Sequence, residues 1–210
     1  MEVEKLTQSQ KMPDRWYLTL QDGTEIKVNT AIIADFSLYK GRDLTEDETS
    51  ALLAAAGRAG AMARALRVSG SRALSRGELL DKLREKGETE ANAEEAANRL
   101  EKIGALNDRE YAGMVVRHYS GMNYGVGRVK NELFRRKVPK EYWDEALSEM
   151  PDITDAIDKL VGLKLRGKTP DRKEIKKLSD SLLRRGFTWE EVKAALERYE
   201  NGIGECGDVS

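Results

Sequence analysis

Two hydrophobic periods divide this 210-residue chain. In RWYLTLQDGTEIKV, residues 15–28, Trp16, Leu18 and Leu20 alternate with polar neighbours, Asp22-Gly23 marks a tight turn, and Ile26 and Val28 resume the alternation. A period of two around such a turn predicts a β-hairpin. A lone hairpin is marginal in water. TAIIADFSLYKGRDL is therefore expected to form a small connecting element whose Ile, Phe and Tyr cover it. TEDETSALLAAAGRAGAMARAL then opens on a capping box, Thr45 and Glu48. Its Ala and Leu favour helix, with a break or bend expected at Gly57 and Gly60.

From there the chain repeats itself. KLREKGET, ELFRRKVP and SLLRRGFT align on Leu83, Leu133 and Leu182, which lie 50 and 49 residues apart, a period typical of repeat architectures. Each unit contains three helical stretches. In the third they are Ile153, Ile157, Leu160 and Val161, then Ile175, Leu178 and Leu182, then Val192, Ala195, Leu196 and Tyr199. The middle unit reads Tyr111, Val115 and His118, then Val126, Val129 and Leu133, then Trp143, Ala146 and Leu147. Spacings of three and four residues place each set on one buried helical face.

The same corner joins the second and third helix of every unit. Gly186 stands where a helix ends through a left-handed residue, which glycine adopts without steric cost. Thr188 and Glu191 make the next capping box, and Phe187 and Val192 have the spacing of a hydrophobic staple. In the middle unit Val138 and Trp143 keep the staple while Lys137 takes the glycine slot. The first unit keeps Gly87, but Glu88 and Ala93 hold the staple positions, so its corner is expected to be the loosest. The fold class is mainly α: three tandem three-helix repeats preceded by a small β-hairpin and a helical linker. Its expected parts are a hairpin element at 1–44, a linker helix at 45–57, repeats at 58–106, 107–150 and 151–200, and a flexible tail at 201–210.

Composition adds exclusions. Charged residues are 35% of the chain and aromatics 6%, with a formal net charge of −1, a balance that suits solvated amphipathic helices. The single cysteine, Cys206, excludes an internal disulfide framework and a multi-cysteine metal site. MEVEKLTQSQ lacks the apolar centre of a signal peptide. No run reaches the roughly 18 apolar residues of a membrane span. The chain is expected to be a soluble, cytoplasmic monomer that contacts no membrane.

Catalytic chemistry is sparse. His118, the only histidine, falls on its helix's apolar stripe and reads as packed and hydrogen-bonded. GMNYGVG, residues 121–127, lacks both phosphate-loop spacings and reads as a turn between helices. Acidic pairs such as Glu94-Glu95 and Glu190-Glu191 sit in first helical turns, where they complement the dipole. No enzyme activity, cofactor or metal is expected. Trp189 reads as packing against the preceding unit, while Tyr119 and Tyr124 bracket a turn.

Positive charge is uneven. Residues 159–185 hold ten Lys/Arg against three Asp/Glu. Arg135, Arg136 and Lys137 end one helix, and Arg184 and Arg185 end its counterpart. Helix-dipole compensation accounts for these by itself and is the preferred reading of them alone; a row of cations spaced by the repeat and facing an acidic surface or DNA phosphates is the competing one. Lys164, Arg166, Lys168, Arg172, Lys173, Lys176 and Lys177 tip the third repeat towards binding. They flank a helix start at Thr169-Pro170, where positive charge is mildly unfavourable.

The order of motifs resembles the bacterial RecX family of RecA regulators. The shared pieces are Ser75, Arg76, Glu78 and Leu79; Leu83, Lys86 and Gly87; Asp108, Tyr111 and Ala112; and Gly127, Val129, Glu132 and Leu133. The likeness is best over 70–150 and weaker over 151–200, with Lys137 and Glu88 departing from it. It implies an elongated array of three-helix units that lies in the groove of the RecA filament on DNA. There it inhibits strand exchange and ATP hydrolysis or promotes disassembly. Arg135, Arg136, Lys173, Lys176, Lys177, Arg184 and Arg185 are the expected electrostatic contacts to the RecA filament, with DNA phosphates as further partners. The alternative is a direct DNA-binding module of helix-turn-helix character.

Overall fold

The computed structural model describes residues 1–165 and 170–207. They form two units, Met1–Leu106 and Asn107–Ser210. Arg166, Lys168 and Thr169 lie outside the described residues.

The first unit begins with a three-stranded antiparallel sheet of β1 (Val3–Gln8), β2 (Trp16–Leu20) and β3 (Glu25–Val28), in that order. β2 and β3 are the expected hairpin, with Leu18 opposite Ile26. At its turn Gly23 has φ +84°, and the Asp22 carboxylate accepts from the Thr24 N–H at 2.9 Å. β1 was not expected, because a register shift between Val3 and Lys5 breaks the period of two. Val3 and Leu6 nevertheless pair with Leu20 and Leu18. The short helix α1 (Thr30–Asp35) is capped by Asn29, whose side chain accepts from the Ile32 N–H. Ile32, Leu38 and Leu44 seal the sheet core, whereas Tyr39, expected to cover it, is exposed.

α2 (Glu46–Ser69) runs unbroken through the boundary drawn between linker helix and first repeat. Neither Gly57 nor Gly60 interrupts it, since good helix formers surround both. It carries the Thr45–Glu48 capping box and serves two cores. Leu52 and Ala56 pack on the sheet; Ala61 and Ala65 pack on α3 (Arg76–Glu85) and α4 (Glu90–Lys102). Small side chains on both sides of this seam, with Ala93, Ala96 and Ala97 opposite, let the helices approach closely.

The second unit holds the other two repeats. α5 (Asp108–Gly121), α6 (Val126–Arg135), a 3-10 turn at Lys140–Tyr142 and α7 (Trp143–Ser148) enclose Val116, Val129 and Leu133. α8 (Thr154–Leu165), α9 (Arg172–Arg184) and α10 (Trp189–Gly207) enclose Ile157, Val161, Leu182 and Val192. α10 continues to Gly207, so helix occupies much of the segment expected as a flexible tail. On α5 the buried stripe turns through Tyr111, Val115 and Tyr119; His118 is exposed instead of packed, edge-on to Tyr119 at 5.1 Å.

All three corners share one backbone geometry. Gly87, Lys137 and Gly186 have φ of +82°, +53° and +89°. The following N–H reaches back to the carbonyl of the aligned leucine: Glu88 to Leu83 at 3.1 Å, Val138 to Leu133 at 3.0 Å, Phe187 to Leu182 at 3.3 Å. This is the six-to-one bond of a Schellman cap. Trp143 Nε1 also donates to the Val138 carbonyl at 3.0 Å. The first corner keeps this geometry without a hydrophobic staple. Arg64 of α2 donates to the Lys86 carbonyl at 2.7 Å and pairs with the nearly buried Glu88 at 3.0 Å, doing the work of the missing staple.

Candidate partner-binding surface

In the 107–210 unit the cations expected as partner contacts fall into two groups, sorted by what they touch. Glu132 on α6 is 3% exposed and faces three guanidinium groups: Arg128 at 2.8 Å, Arg135 at 2.9 Å and Arg136 at 3.7 Å. One helical turn in either direction supplies all three, so local geometry builds the cluster. Arg136 also donates to the Tyr111 hydroxyl at 2.8 Å and lies over the Tyr119 ring. Burial opposes its charge, but hydrogen bonds to Tyr119 and Tyr111 outweigh that and raise its pKa above the ordinary arginine value. Arg136 is therefore a packing residue of the second repeat.

Arg185 is also engaged. Its guanidinium sits 5.3 Å from the centre of the Tyr124 ring, which Arg128 approaches at 5.8 Å, so two cations share one aromatic ring. Its backbone does more. The Gly125 N–H donates to the Arg185 carbonyl at 3.0 Å, and the Gly127 N–H to the Gly186 carbonyl at 2.9 Å. The corner of the third repeat thus docks, backbone on backbone, against the first turn of α6. Side chains are excluded by the approach: a Cβ on Gly186 would lie 2.1 Å from the Arg128 nitrogen, and one on Gly125 2.4 Å from the Gly186 oxygen. GMNYGVG is a turn between helices, and it is also half of this clip.

The remaining cations face outward. Lys173, Lys176, Lys177 and Arg184 are exposed and make no ion pair among the described residues. Spacings of three, one and seven residues set them along one side of α9. Arg135 is 69% exposed on its side chain but spends one end on Glu132. The helix starts later than expected, at the N-cap Asp171, which forms a capping box with Glu174. Those two carboxylates offset the dipole cost of Arg172 and Lys173, so a destabilised helix start no longer argues for a partner. Exposure without ion pairing still does.

Apolar surface accompanies these charges. Phe134 is 69% exposed, Leu183 39% and Trp189, at its helix start, 56%. Phe134 and Leu183 follow the aligned leucines of their repeats and so hold equivalent positions. A groove of about 390 Å³ runs between Lys130 and Asn131 of α6 and Leu183 and Arg184 of α9. Phe134 lies one turn further along α6. Sequence reasoning missed this apolar component, although the aligned Phe134 and Leu183 were available as its signal.

Three-helix units, docked corner to helix start and bearing cations and apolar side chains outside, define a mainly helical protein with a small N-terminal antiparallel sheet. The chain belongs to the RecX family: the family's description "RecX, second three-helix domain" matches residues 107–147, and "RecX, third three-helix domain" matches 153–196. A regulatory protein RecX of Pelodictyon phaeoclathratiforme is 34% identical over 143 residues, spanning 65% of this chain and 87% of that protein. One from Oceanobacillus iheyensis is 26% identical over 208 residues, 94% of this chain and 76% of its own length. A crystal structure of regulatory protein RecX superposes with a TM-score of 0.71 at 22% identity, over 93% of this chain and 98% of that one.

No helix among the described residues is long and apolar enough to cross a membrane.

Proposed function

We propose that this chain is a non-catalytic regulator of RecA that binds the RecA–DNA filament and inhibits its strand exchange and ATP hydrolysis or promotes its disassembly. Membership of a family whose curated members are named regulatory proteins supports the regulatory role. The observation that carries the binding site is the outer side of α9, where Lys173, Lys176, Lys177 and Arg184 stand unpaired among the described residues beside exposed Leu183. Cations around an apolar centre suit an acidic protein surface: charge speeds and orients encounter, and the desolvated apolar anchor supplies affinity. Arg135 belongs at the rim, while Arg136 and Arg185 hold the repeats in place. The chain acts as a cytoplasmic monomer and needs no cofactor.

The test is RecA's DNA-dependent ATPase with this protein titrated in, alongside co-sedimentation with preformed filaments. Hydrolysis falls with the native chain, and Lys176→Glu with Arg184→Glu weakens both effects. No change in ATPase together with no filament binding defeats the proposal.

The same unpaired cations favour a second reading, direct attachment to DNA phosphates. It requires DNA affinity without RecA that falls steeply with salt. Affinity indifferent to Lys173→Glu and Lys176→Glu counts against it.

A further inference from the structure

A second surface, in the 1–106 unit, is remote in sequence from the α9 cations. α2 spends Leu52 and Ala56 on the sheet and Ala61 and Ala65 on its own repeat. Between these two commitments a third face of the helix is left over. Ala59, Gly60, Ala63 and Leu66 floor a groove of about 640 Å³ there. The opposite wall is the loop between β1 and β2, where Met12 is 44% exposed; Leu66 on the floor is 46% exposed. That wall is fixed by Ser9 N–H to the Arg15 carbonyl at 2.8 Å, Arg15 N–H to the Met12 carbonyl at 3.0 Å, and Gln8 Nε2 to the Pro13 carbonyl at 2.6 Å.

The rim is basic. Lys11, Arg15, Lys27 and Arg67 line it and make no ion pair among the described residues. Arg64 is held by Glu88. The one carboxylate in the lining, Asp14, is already committed, accepting from the Thr30 N–H at the start of α1 at 3.1 Å. The groove thus carries four cations without an ion pair among the described residues, against the single carboxylate of Asp14, around an aliphatic floor.

We propose that this groove binds an acidic polypeptide segment of a partner protein, with carboxylates at the rim and an aliphatic side chain on the floor between Leu66 and Met12. Charge complementarity selects the acidic segment, and the floor selects its apolar residue. A single-stranded nucleic acid is the less suited occupant, because no aromatic side chain lines the groove to stack on bases.

Gly60 provides the decisive variant. A Cβ there meets nothing within 4 Å, so a side chain can be built outward from this position into the groove. The experiment is selection from a random peptide display library on the full chain, with the Gly60→Phe chain in solution as competitor. The expected pool is rich in Asp and Glu with Leu, Ile or Met. A synthesised member binds about tenfold or more weakly to Gly60→Phe and to the Lys27→Glu/Arg67→Glu pair, and normally to Gly60→Ala. Circular dichroism checks that each variant is folded; should Gly60→Phe fail, the exposed charge-reversal pair carries the test alone. Peptides that lack acidic residues, or that bind all variants equally, overturn the proposal. So does an oligothymidine that binds the native chain and loses that binding in these variants while no peptide does.

Discussion

Lys137 and Gly186 close equivalent corners of adjacent repeats with the same left-handed backbone, yet only one of them is glycine. The difference lies outside the corner. Gly186 is pressed against α6, with its carbonyl accepting from Gly127 and the Arg128 nitrogen 2.1 Å from where a Cβ would stand. One glycine therefore meets two demands, a positive φ and a close approach, whereas Lys137 meets only the first. A positive φ is an inexpensive strain that a lysine tolerates; a backbone in the way is not tolerated without moving a helix.

The sharpest way to break this comparison is Gly186→Ala. Left-handed strain and overpacking add, so urea unfolding of the 107–210 unit should show a loss of roughly 2–5 kcal/mol. Tryptophan emission from Trp143 and Trp189, read in a Trp16→Phe background, reports on that unit. Amide exchange at Gly125 and Gly127, whose N–H groups close the clip, should accelerate ahead of global unfolding. A cost under about 1 kcal/mol would mean that the repeats separate easily and that the clip is incidental.

Next in size is Glu132→Gln. It keeps the shape but removes the charge that faces Arg128, Arg135 and Arg136 at a nearly buried site. Leaving partly buried guanidinium groups without their carboxylate should cost about 2–4 kcal/mol by the same denaturation. Lys176→Glu, on the outer side of α9, should by contrast change stability within about 0.5 kcal/mol. If the two substitutions prove equally costly, the division between packing cations and outward cations fails.

Gly87→Ala separates the two demands made on Gly186. Gly87 has φ +82° but open space around the missing Cβ. Only conformational strain is at stake, on the order of 1–2 kcal/mol. The excess cost at Gly186 over Gly87 then measures the docking of the third repeat on the second.

Which of these features were legible in the chain follows from their range. The corners, the Thr45 and Thr188 caps and the staples depend on residues within six positions, and their spacing can be read directly. The start of α9 was misplaced, because Thr169-Pro170 signalled a cap two residues ahead of the Asp171–Glu174 box. The Glu132 cluster was equally local, since arginines at 128, 135 and 136 sit one turn away, but a charged residue on an amphipathic helix reads first as solvated. β1 was hidden by its bulge, and His118 was placed one position off the true stripe because Tyr119 completes the turn as well as it does. The clip joins residues about sixty positions apart through backbone atoms alone. No hydrophobic pattern records such a contact, and the glycines that permit it look like ordinary turn residues. The outward face of α9 was legible as charge; its apolar companions Phe134 and Leu183 had a signal in their aligned positions, but burial decides that they are exposed.

The smallest effect has the opposite sign. Lys137→Gly removes a Cβ from a residue held at φ +53°. Relief of left-handed strain favours the variant, while the greater freedom of glycine in the unfolded chain opposes it. Strain is the larger of the two, so the net gain should be about 0.5–1 kcal/mol, read as a higher urea midpoint with an unchanged slope. The neighbouring staple is untouched, with Val138 still buried and Trp143 Nε1 still bonded to its carbonyl. A destabilised variant would show that the lysine side chain contributes more to this corner than its backbone conformation costs. Glycine at 87 and lysine at 137 would then be two distinct solutions to the corner, and only Gly186 would answer to contact with another repeat.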